Sequence, residues 1–247
     1  MKVLIVSDIH ANWVALRAVL DAELDRDEIV CLGDLFNFGP QPLECVSWAE
    51  ESSNSAIFVQ GNHDYAVGLD ADPRCSTFYA KLAAGTQKFT EKLLSTESKR
   101  FLAELKPSAF FHLGESSCFC CHATPKDRLY GFIPPSAAPA LWESEVTLVQ
   151  NPNFLFCGHT HLPLKRQIGR TLIVNPGSVG LPNDADPRAS YAIWEDGHVT
   201  LRRVAYNVEE VIRAFSGLEL EPQIEESLCK ILRTGGHSSP ATEATQG

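Results

Sequence analysis

The feature that most constrains this chain is a set of metal-ligand side chains at the ends of apolar runs. Five histidines, three aspartates and one asparagine fall in five short segments: Asp8-Ile9-His10, Gly33-Asp34, Gly61-Asn62-His63-Asp64, Cys121-His122 and Gly158-His159-Thr160-His161. Imidazole and carboxylate concentrated at strand-to-loop junctions are typical of proteins that hold metal for chemistry. Because the chain has only 8 histidines, most of them are committed to these segments.

Strand and helix patterns alternate through the first part of the chain. Residues 3–7 form a continuous apolar run, which is typical of a central strand covered on both faces. Residues 11–24 carry apolar side chains at helical spacing, and shorter strands are predicted at 29–32 and 57–59. A further helix is predicted to begin at Pro42. Because sites in doubly wound sheets form at the carboxyl ends of strands, the polar segments after these strands are expected to meet at one edge.

The second half of the chain is richer in strands. Two helices are predicted over 76–105, and helices at 208–215 and 223–232 close the fold. Between them the pattern predicts short strands with tight turns at 108–112, 118–122, 154–157, 164–168, 171–174, 191–194 and 199–204. Two sheets packed face to face with helices outside follow from this order. We therefore expect an α/β fold, a four-layer αββα sandwich of two mixed β-sheets flanked by helices.

The same pattern predicts one domain over 1–234, with two embellishments. Residues 124–149 form a proline-rich insertion directly after His122. It is either a lid over the site or a solvent-exposed loop that packs Trp142 on the sheet. Residues 235–247 are small and polar, which favours a flexible C-terminal tail.

Charge and hydropathy exclude several classes of partner. A net charge of −10 argues against a broad surface that binds nucleic-acid backbone. It still allows an anionic substrate, because two bound divalent cations would reverse the sign of the charge locally. No apolar stretch approaches the roughly 20 residues that cross a bilayer, so no membrane association is expected. The 8 cysteines, with no secretory signal, favour reduced thiols and a cytoplasmic location. The oligomeric state is not specified by any of these patterns.

The five polar segments are weak evidence singly and strong evidence together. An aspartate such as Asp8 after a strand is often only a helix N-cap, and Gly33-Asp34 alone is weaker still. The glycine of Gly61-Asn62-His63-Asp64 permits a tight turn that crowds three polar side chains. In an extended segment His159 and His161 would point the same way and reach adjacent metals. Five ordinary turns in this order, all at strand ends, are an improbable alternative.

The series Asp-x-His, Gly-Asp, Gly-Asn-His-Asp, a single His and Gly-His-Thr-His resembles the calcineurin-like metallophosphoesterase superfamily. The similarity extends through Asn175-Pro176-Gly177-Ser178-Val179-Gly180 and Asp186-Pro187-Arg188-Ala189-Ser190-Tyr191. Within the superfamily it is nearest to the small bacterial phosphodiesterase and diadenosine tetraphosphatase-like branch. By itself, the composition of 175–178 indicates only a turn, whereas the resemblance brings its backbone near the metal site.

The resemblance implies two divalent metal ions. It assigns the ligands as Asp8, His10 and His161 for one ion, Asn62, His122 and His159 for the other, and Asp34 as the bridge between them. This mixture of carboxylate and imidazole suits Mn2+, which we expect, as well as Fe, Zn or Ni. A hydroxide bridging the two ions would form near neutral pH and attack phosphorus in line.

The resemblance also implies that His63 is not a ligand but faces the substrate, where it either protonates the departing oxygen or stabilises the charge at phosphorus. Its neighbour Asp64 is expected either to hold the far nitrogen of that imidazole or to cap the following turn. Both residues are therefore candidate catalytic side chains.

Three further residues are candidates for substrate binding. Phe38, with Phe36 on the other side of Asn37, is expected to form a lip that contacts an organic leaving group, and Asn37 lies at its centre. Arg188 is either a phosphate contact or a partner in a surface ion pair.

Departures from the protein Ser/Thr phosphatase branch narrow the substrate. That branch carries Gly-Asp-x-Val-Asp-Arg-Gly and Arg-Gly-Asn-His-Glu, whose arginines grip a phosphate dianion. Here Phe38 and Gln60 stand at the arginine positions. We therefore expect a phosphoesterase acting on small phosphodiesters or nucleotide-type phosphoanhydrides. The alternatives are a symmetric dinucleoside polyphosphate hydrolase, a phosphomonoesterase and, ranked below them, a non-enzymatic scaffold with the same fold.

Overall fold

The computed structural model describes residues 1–236. The predicted flexible tail lies outside the described residues from position 237 onward. The strands are β1 Lys2–Val6, β2 Glu28–Cys31, β3 Ala56–Phe58, β4 Ser108–Leu113, β5 Ser116–Cys121, β6 Phe154–Phe156, β7 Leu164–Ile168, β8 Thr171–Asn175, β9 Ala189–Glu195 and β10 His198–Val204. The helices are α1 Trp13–Ala22, α2 Pro42–Ser52, α3 Asn62–Leu69, α4 Thr77–Leu93, α5 Thr96–Glu104, α6 Pro139–Leu148, α7 Val208–Phe215 and α8 Pro222–Thr234.

The strands form two five-stranded mixed sheets. The first has the order β10-β9-β1-β2-β3, in which β1, β2 and β3 run parallel and β9 joins β1 antiparallel. The second has the order β4-β5-β6-β8-β7, in which β5, β6 and β8 run parallel and the two outer strands are antiparallel. Each sheet thus contains three adjacent parallel strands, which lie at one side of the first sheet and at the centre of the second, and the carboxyl ends of such strands are where sites form.

Side-chain alternation along the central strands separates the layers. In β1, Val3 and Ile5 belong to the cluster between the sheets, whereas Leu4 and Val6 pack with the residues of α1 and α2. In a strand, alternate side chains point to opposite faces, so the continuous apolar run at 3–6 is covered on both sides.

Helices cover the outer faces of both sheets. On the second sheet, Phe119 and Leu155 face outward and pack against Trp142 and Val146 of α6. The order of layers is therefore helix, sheet, sheet, helix, and the predicted four-layer αββα sandwich is confirmed. Over residues 1–236, none of the helices has the length and apolar character needed to span a bilayer.

Candidate metal centre

The ligand-type side chains from both sheets converge at the carboxyl ends of the parallel strands. They form two adjacent groups, and within each group the potential ligand atoms lie within 4.8 Å of one another. The first group is Asp8, His10 and His161, and the second is Asp34, His122 and His159. These are six of the seven residues that the resemblance implied as ligands, and the histidines are divided between the two groups as it implied, with Asp34 in the second group.

Backbone carbonyls orient three of the imidazoles toward the cluster. The Nδ1 atoms of His10, His122 and His161 lie 3.0, 2.8 and 2.6 Å from the carbonyl oxygens of Phe36, Leu32 and Leu181. A ring that donates Nδ1–H to a carbonyl presents the lone pair of Nε2 on its other side, as is usual for histidine ligands. All three Nε2 atoms face the interior of the cluster, where the Nε2 atoms of His10 and His161 are only 3.0 Å apart.

Asp34 lies between the two groups. Its Oδ2 is 3.2 Å from Nε2 of His122 and 3.9 Å from Nε2 of His10, while its Oδ1 accepts the amide of His63 at 2.9 Å. The carboxylate is therefore held by the backbone at one oxygen and shared between both groups at the other. This is the arrangement that a bridging ligand requires.

The seventh predicted ligand, Asn62, has its amide orientation fixed by a loop. Its Nδ2 donates to the carbonyl of Pro73 at 2.8 Å, so its Oδ1 is the atom that faces the cluster, 3.0 Å from Nε2 of His122. Because a side-chain amide can ligate a cation only through its oxygen, this orientation suits metal binding.

A buried carboxylate oxygen tests whether these residues fit a cation. Among the described residues, Asp8 Oδ1 finds no hydrogen-bond donor although the residue is fully buried, and it lies 3.3 Å from Nε2 of His161. An ionised buried oxygen without a partner is costly, and metal coordination is one of the few ways to satisfy it. Together with the mixed carboxylate and imidazole donors, this oxygen shows that the residues present fit divalent cations.

Burial and neighbouring charges set the protonation of the cluster. Burial lowers the pKa of His10 and of His159 to about 3, so both are neutral rings with a free lone pair. Burial also acts to lower the pKa of His122, but the carboxylates of Asp34 and Asp8 and the carbonyl of Leu32 together outweigh it and raise that pKa to about 9. For Asp34, burial acts to raise the pKa, yet His122 and His63 hold it well below its ordinary value. A cation must therefore displace a proton from His122, which couples metal binding to pH.

Most of the carboxylate and imidazole ligands have a left-handed backbone. The φ angles are +54° for Asp8, +48° for His10, +56° for Asp34, +66° for His159 and +58° for His161. Non-glycine residues rarely adopt this conformation, although aspartate, asparagine and histidine do so more readily than others. The extended path expected for the Gly158–His161 segment is therefore wrong. The two histidines reach adjacent groups because the chain turns sharply at each of them.

Gly180 allows the loop after β8 to pack against the first ligand segment. Its amide donates to the carbonyl of Asp8 at 3.0 Å, and a Cβ at this position would overlap the carbonyl oxygen of Ile9. The segment 175–180 thus supports the loop that carries Asp8 and His10. This agrees with the proximity to the metal site that the resemblance implied.

Replacing Gly180 with alanine is expected to lower the free energy of unfolding by about 1–3 kcal/mol, because two backbone segments must move apart. Urea denaturation of the metal-free protein measures this. Gly85→Ala is the matched control, since its Cβ meets only the flexible end of Ile224 and lies in the middle of α4, where alanine favours the helix. A Gly180→Ala protein as stable as Gly85→Ala would contradict the close packing.

His63 lies beside the cluster with a different set of partners. Its Nδ1 is 3.1 Å from Nδ2 of Asn37. The orientation of that amide is fixed because Asn37 Oδ1 accepts the amide of Phe38 at 3.1 Å and contacts the hydroxyl of Thr86. Asn37 therefore donates to Nδ1, which leaves the ring proton on Nε2, 3.4 Å from Sγ of Cys75.

The contact expected between Asp64 and the His63 ring is wrong. The carboxylate of Asp64 instead accepts three backbone amides, those of Asp34 at 2.8 Å, Leu35 at 2.8 Å and Gly61 at 3.0 Å. It caps the start of α3 and joins the two ligand loops. A capping role was the second of the two alternatives expected for Asp64. Asn37, which was predicted from the sequence to contact substrate, instead orients the His63 ring.

The residues predicted to bind substrate lie elsewhere than expected. Phe36 is fully buried in the core, and Phe38 is only 2% exposed, with its ring 4.8 Å from that of His63. The predicted lip at Phe36 to Phe38 is therefore wrong, because these side chains lie behind the cluster. Arg188 is exposed and forms a two-pronged ion pair with Asp186, whose carboxylate is 2.6 Å from its Nη2. The structure thus favours the surface ion pair that the sequence left as an alternative.

Two loops border the cluster: the loop after α3, which the sequence did not place there, and the insertion, for which a position over the site was one of two alternatives. The loop after α3 is anchored by the bond from Asn62 to Pro73, and Arg74 in the same loop lies 4.5 Å above the ring of Tyr130 in the insertion. Phe132, two residues further on, has its ring centroid 6.3 Å from that of His159. The insertion thus packs α6 on the sheet and places its first part beside the cluster. The sequence signal for this was the direct succession of His122 and the insertion.

Comparison with known proteins gives concordant matches. A model of the calcineurin-like phosphoesterase superfamily domain matches residues 1–196. An uncharacterised protein of Methanocaldococcus jannaschii is 30% identical over 230 residues, covering 83% of this chain and 88% of that protein. Phosphodiesterase YfcE of Escherichia coli K12 is 27% identical over 222 residues, covering 86% of this chain and 96% of that protein. A crystal structure of a metallophosphoesterase from Sphaerobacter thermophilus matches with a TM-score of 0.77 at 31% identity, covering 95% and 100% of the two chains.

Proposed function

Because the chain belongs to the calcineurin-like phosphoesterase superfamily, we propose that it is a dinuclear metal-dependent enzyme that hydrolyses small phosphodiesters. The single observation that carries this proposal is the pair of adjacent ligand groups that share Asp34. We further propose one catalytic domain over 1–234, manganese as the native metal and a cytoplasmic location. All 8 cysteines are free thiols, as a reducing compartment favours.

The proposed ligands divide between two cations that share the Asp34 carboxylate. Asp8, His10 and His161 would hold one cation and Asn62, His122 and His159 the other. When bound, two such cations supply an activated water near neutral pH and neutralise the charge that develops on phosphate oxygens. The protein's own contribution is to fix these donors through buried backbone carbonyls and amides, so that little reorganisation accompanies the reaction.

His63 is the proposed hydrogen-bond donor that stabilises the charge developing on the phosphate and the leaving oxygen. Asn37 donates to Nδ1, so the proton of the neutral ring is on Nε2. A donor whose tautomer is fixed in this way needs no rearrangement before it stabilises that charge, and it keeps its proton because a neutral ring that released it would become an imidazolate. The thiol of Cys75 lies 3.4 Å from Nε2, so a substrate oxygen that accepts from Nε2 would take the place of this contact.

The surroundings of the cluster favour a monoanionic diester over a monoester dianion. At one of the two positions where related phosphatases have arginine, Phe38 presents an apolar ring beside His10 and His63. At the other, the side chain of Gln60 turns away and donates to the carbonyl of Leu102 at 2.7 Å. A second negative charge on the substrate would therefore lack the two-pronged guanidinium partner that dianions usually receive.

Metal analysis with matched substrates tests the proposal. Purified protein is assayed on bis(p-nitrophenyl) phosphate, p-nitrophenyl phosphate and diadenosine tetraphosphate, with added manganese, zinc or iron. We expect kcat/KM for the diester to exceed that for the monoester by about tenfold or more, since one charged hydrogen bond contributes about 1.5–3 kcal/mol. Preference for the monoester would overturn the assignment of diesters as substrates. Preference for the dinucleotide would instead assign phosphoanhydrides as the substrate class. A protein that binds metal but is inert toward all three would favour a scaffold.

A further inference from the structure

Phe132 is an exposed aromatic ring beside a proposed metal ligand. Its side chain is 61% exposed, yet its ring centroid lies 6.3 Å from that of His159 at an interplanar angle of 76°. A large apolar side chain left in water next to a reactive cluster has an unfavourable solvation free energy, which a bound apolar group would relieve.

The backbone around Phe132 is held in place on both sides. On one side, the amides of Tyr130 and Gly131 donate to Asp127. On the other side, the guanidinium of Arg166 donates to the carbonyls of Pro135 and Ala137, each at 2.6 Å. The ring is therefore presented on a supported loop, which lowers the entropy lost when a ligand packs against it.

Inward and outward side chains alternate at this point of the loop. Ile133, the next residue, packs into the apolar cluster of α6 and the second sheet. Because Ile133 is anchored inward, Phe132 is turned outward, toward the side where His159 contributes to the second ligand group. A ring esterified to a phosphate bound at that group is thus within reach of Phe132.

We propose that Phe132 is the binding platform for a planar ring on the substrate, such as an aryl group or a nucleobase. This inference rests on the proposed function, because the ring must be attached to a phosphate held at the metal centre. The guanidinium of Arg74, stacked 4.5 Å above Tyr130, joins the loop after α3 to the part of the insertion that carries Phe132. The substrate class is therefore phosphate esters that carry an aromatic group.

Two phosphonates that the proposed hydrolysis cannot cleave test this assignment. Phenylphosphonate and methylphosphonate share the metal-binding group and differ only in the ring. Isothermal titration calorimetry with the manganese-loaded protein gives the Kd of each for wild type, Phe132→Ala and Phe132→Tyr. Phe110→Ala is the matched control, because Phe110 is 64% exposed on β4 and its ring packs on Phe119 rather than on a ligand-type histidine.

The expected result is a Kd for phenylphosphonate that is about five- to 100-fold larger in Phe132→Ala than in wild type, because stacking on an aromatic side chain contributes a factor of that size to the affinity per ring. The Kd for methylphosphonate should stay constant, Phe132→Tyr should restore ring binding, and Phe110→Ala should change neither value. Equal weakening of both phosphonates, or of neither, would overturn the role of Phe132 while leaving the proposed function intact. A manganese-loaded wild type that binds neither phosphonate would overturn this inference, whereas the proposed function is overturned only if the same protein also fails to hydrolyse the diester.

Discussion

Asp34→Asn is expected to lower kcat/KM for diester hydrolysis by about 1,000-fold, because the shared carboxylate oxygen is the one ligand on which both proposed cations depend. Stabilisation of phosphate charge by metal ions contributes several kcal/mol, and about 4 kcal/mol corresponds to that factor. The substitution preserves the volume of the side chain and the oxygen that accepts the His63 amide. Metal content, measured by plasma mass spectrometry, should fall by at least one cation per chain.

Asp21→Asn is the control for the change in net charge, since Asp21 is exposed on α1. It should retain both the metal content and the rate of the wild type. Thermal unfolding without added metal checks that Asp34→Asn remains folded. A variant with two cations per chain and an unchanged rate would remove Asp34 from the bridging position.

His63→Ala is expected to keep its metal and to lose activity selectively on poor leaving groups. Removing one donor that stabilises developing charge costs about 100- to 1,000-fold, and that contribution matters most where the departing oxygen is basic. We therefore expect a loss of this size on an alkyl or nucleoside ester. On a p-nitrophenyl ester, whose leaving oxygen disperses its charge into the ring, the loss should be about tenfold or less.

The ratio of the two rates is the decisive measurement, because a general disturbance of the site would lower both equally. His112→Ala, an exposed histidine on β4, controls for the removal of an imidazole. Equal losses on the two esters would assign His63 a structural role. An unchanged rate on the alkyl ester would reject the stabilisation of the leaving oxygen by His63 altogether.

The fold and the ligand set were predictable because both depend on short-range patterns. A continuous apolar run such as the one at β1 indicates a strand covered on both faces, and polar residues at the ends of three parallel strands must meet at one edge. Asp8, Asp34 and Asn62 follow the three parallel strands of the first sheet. Their convergence therefore required no knowledge of the tertiary structure beyond the order of the strands.

The partner of His63 was not predictable from the same patterns. Asp64 is adjacent in sequence and chemically suited to hold an imidazole, but it begins a helix and faces backbone amides instead. Asn37 is 26 residues away and reaches the ring only because its backbone is left-handed, with φ +71°. A choice between two side chains on different loops depends on tertiary geometry, which local propensity does not encode.

The surroundings of the cluster were unpredictable for a related reason. Arg74 and Tyr130 come from segments far apart in the chain, and neither shows a periodic pattern. Phe38 and Phe132 are both phenylalanines near ligand segments, yet one is buried and the other is exposed. Exposure is a property of the packed loops rather than of the residue type.

The unusual backbone at the proposed ligands bears on how descendants of such a chain would diverge. Aspartate and histidine are among the few residues that tolerate a positive φ, so Asp8, Asp34 and His161 suit their turns whether or not a cation is present. A lineage that abandoned hydrolysis would still be selected to retain them for conformational reasons. Substitutions that abolish catalysis should then appear first at His63 and His122, because neither residue has a positive φ that restricts which side chains fit.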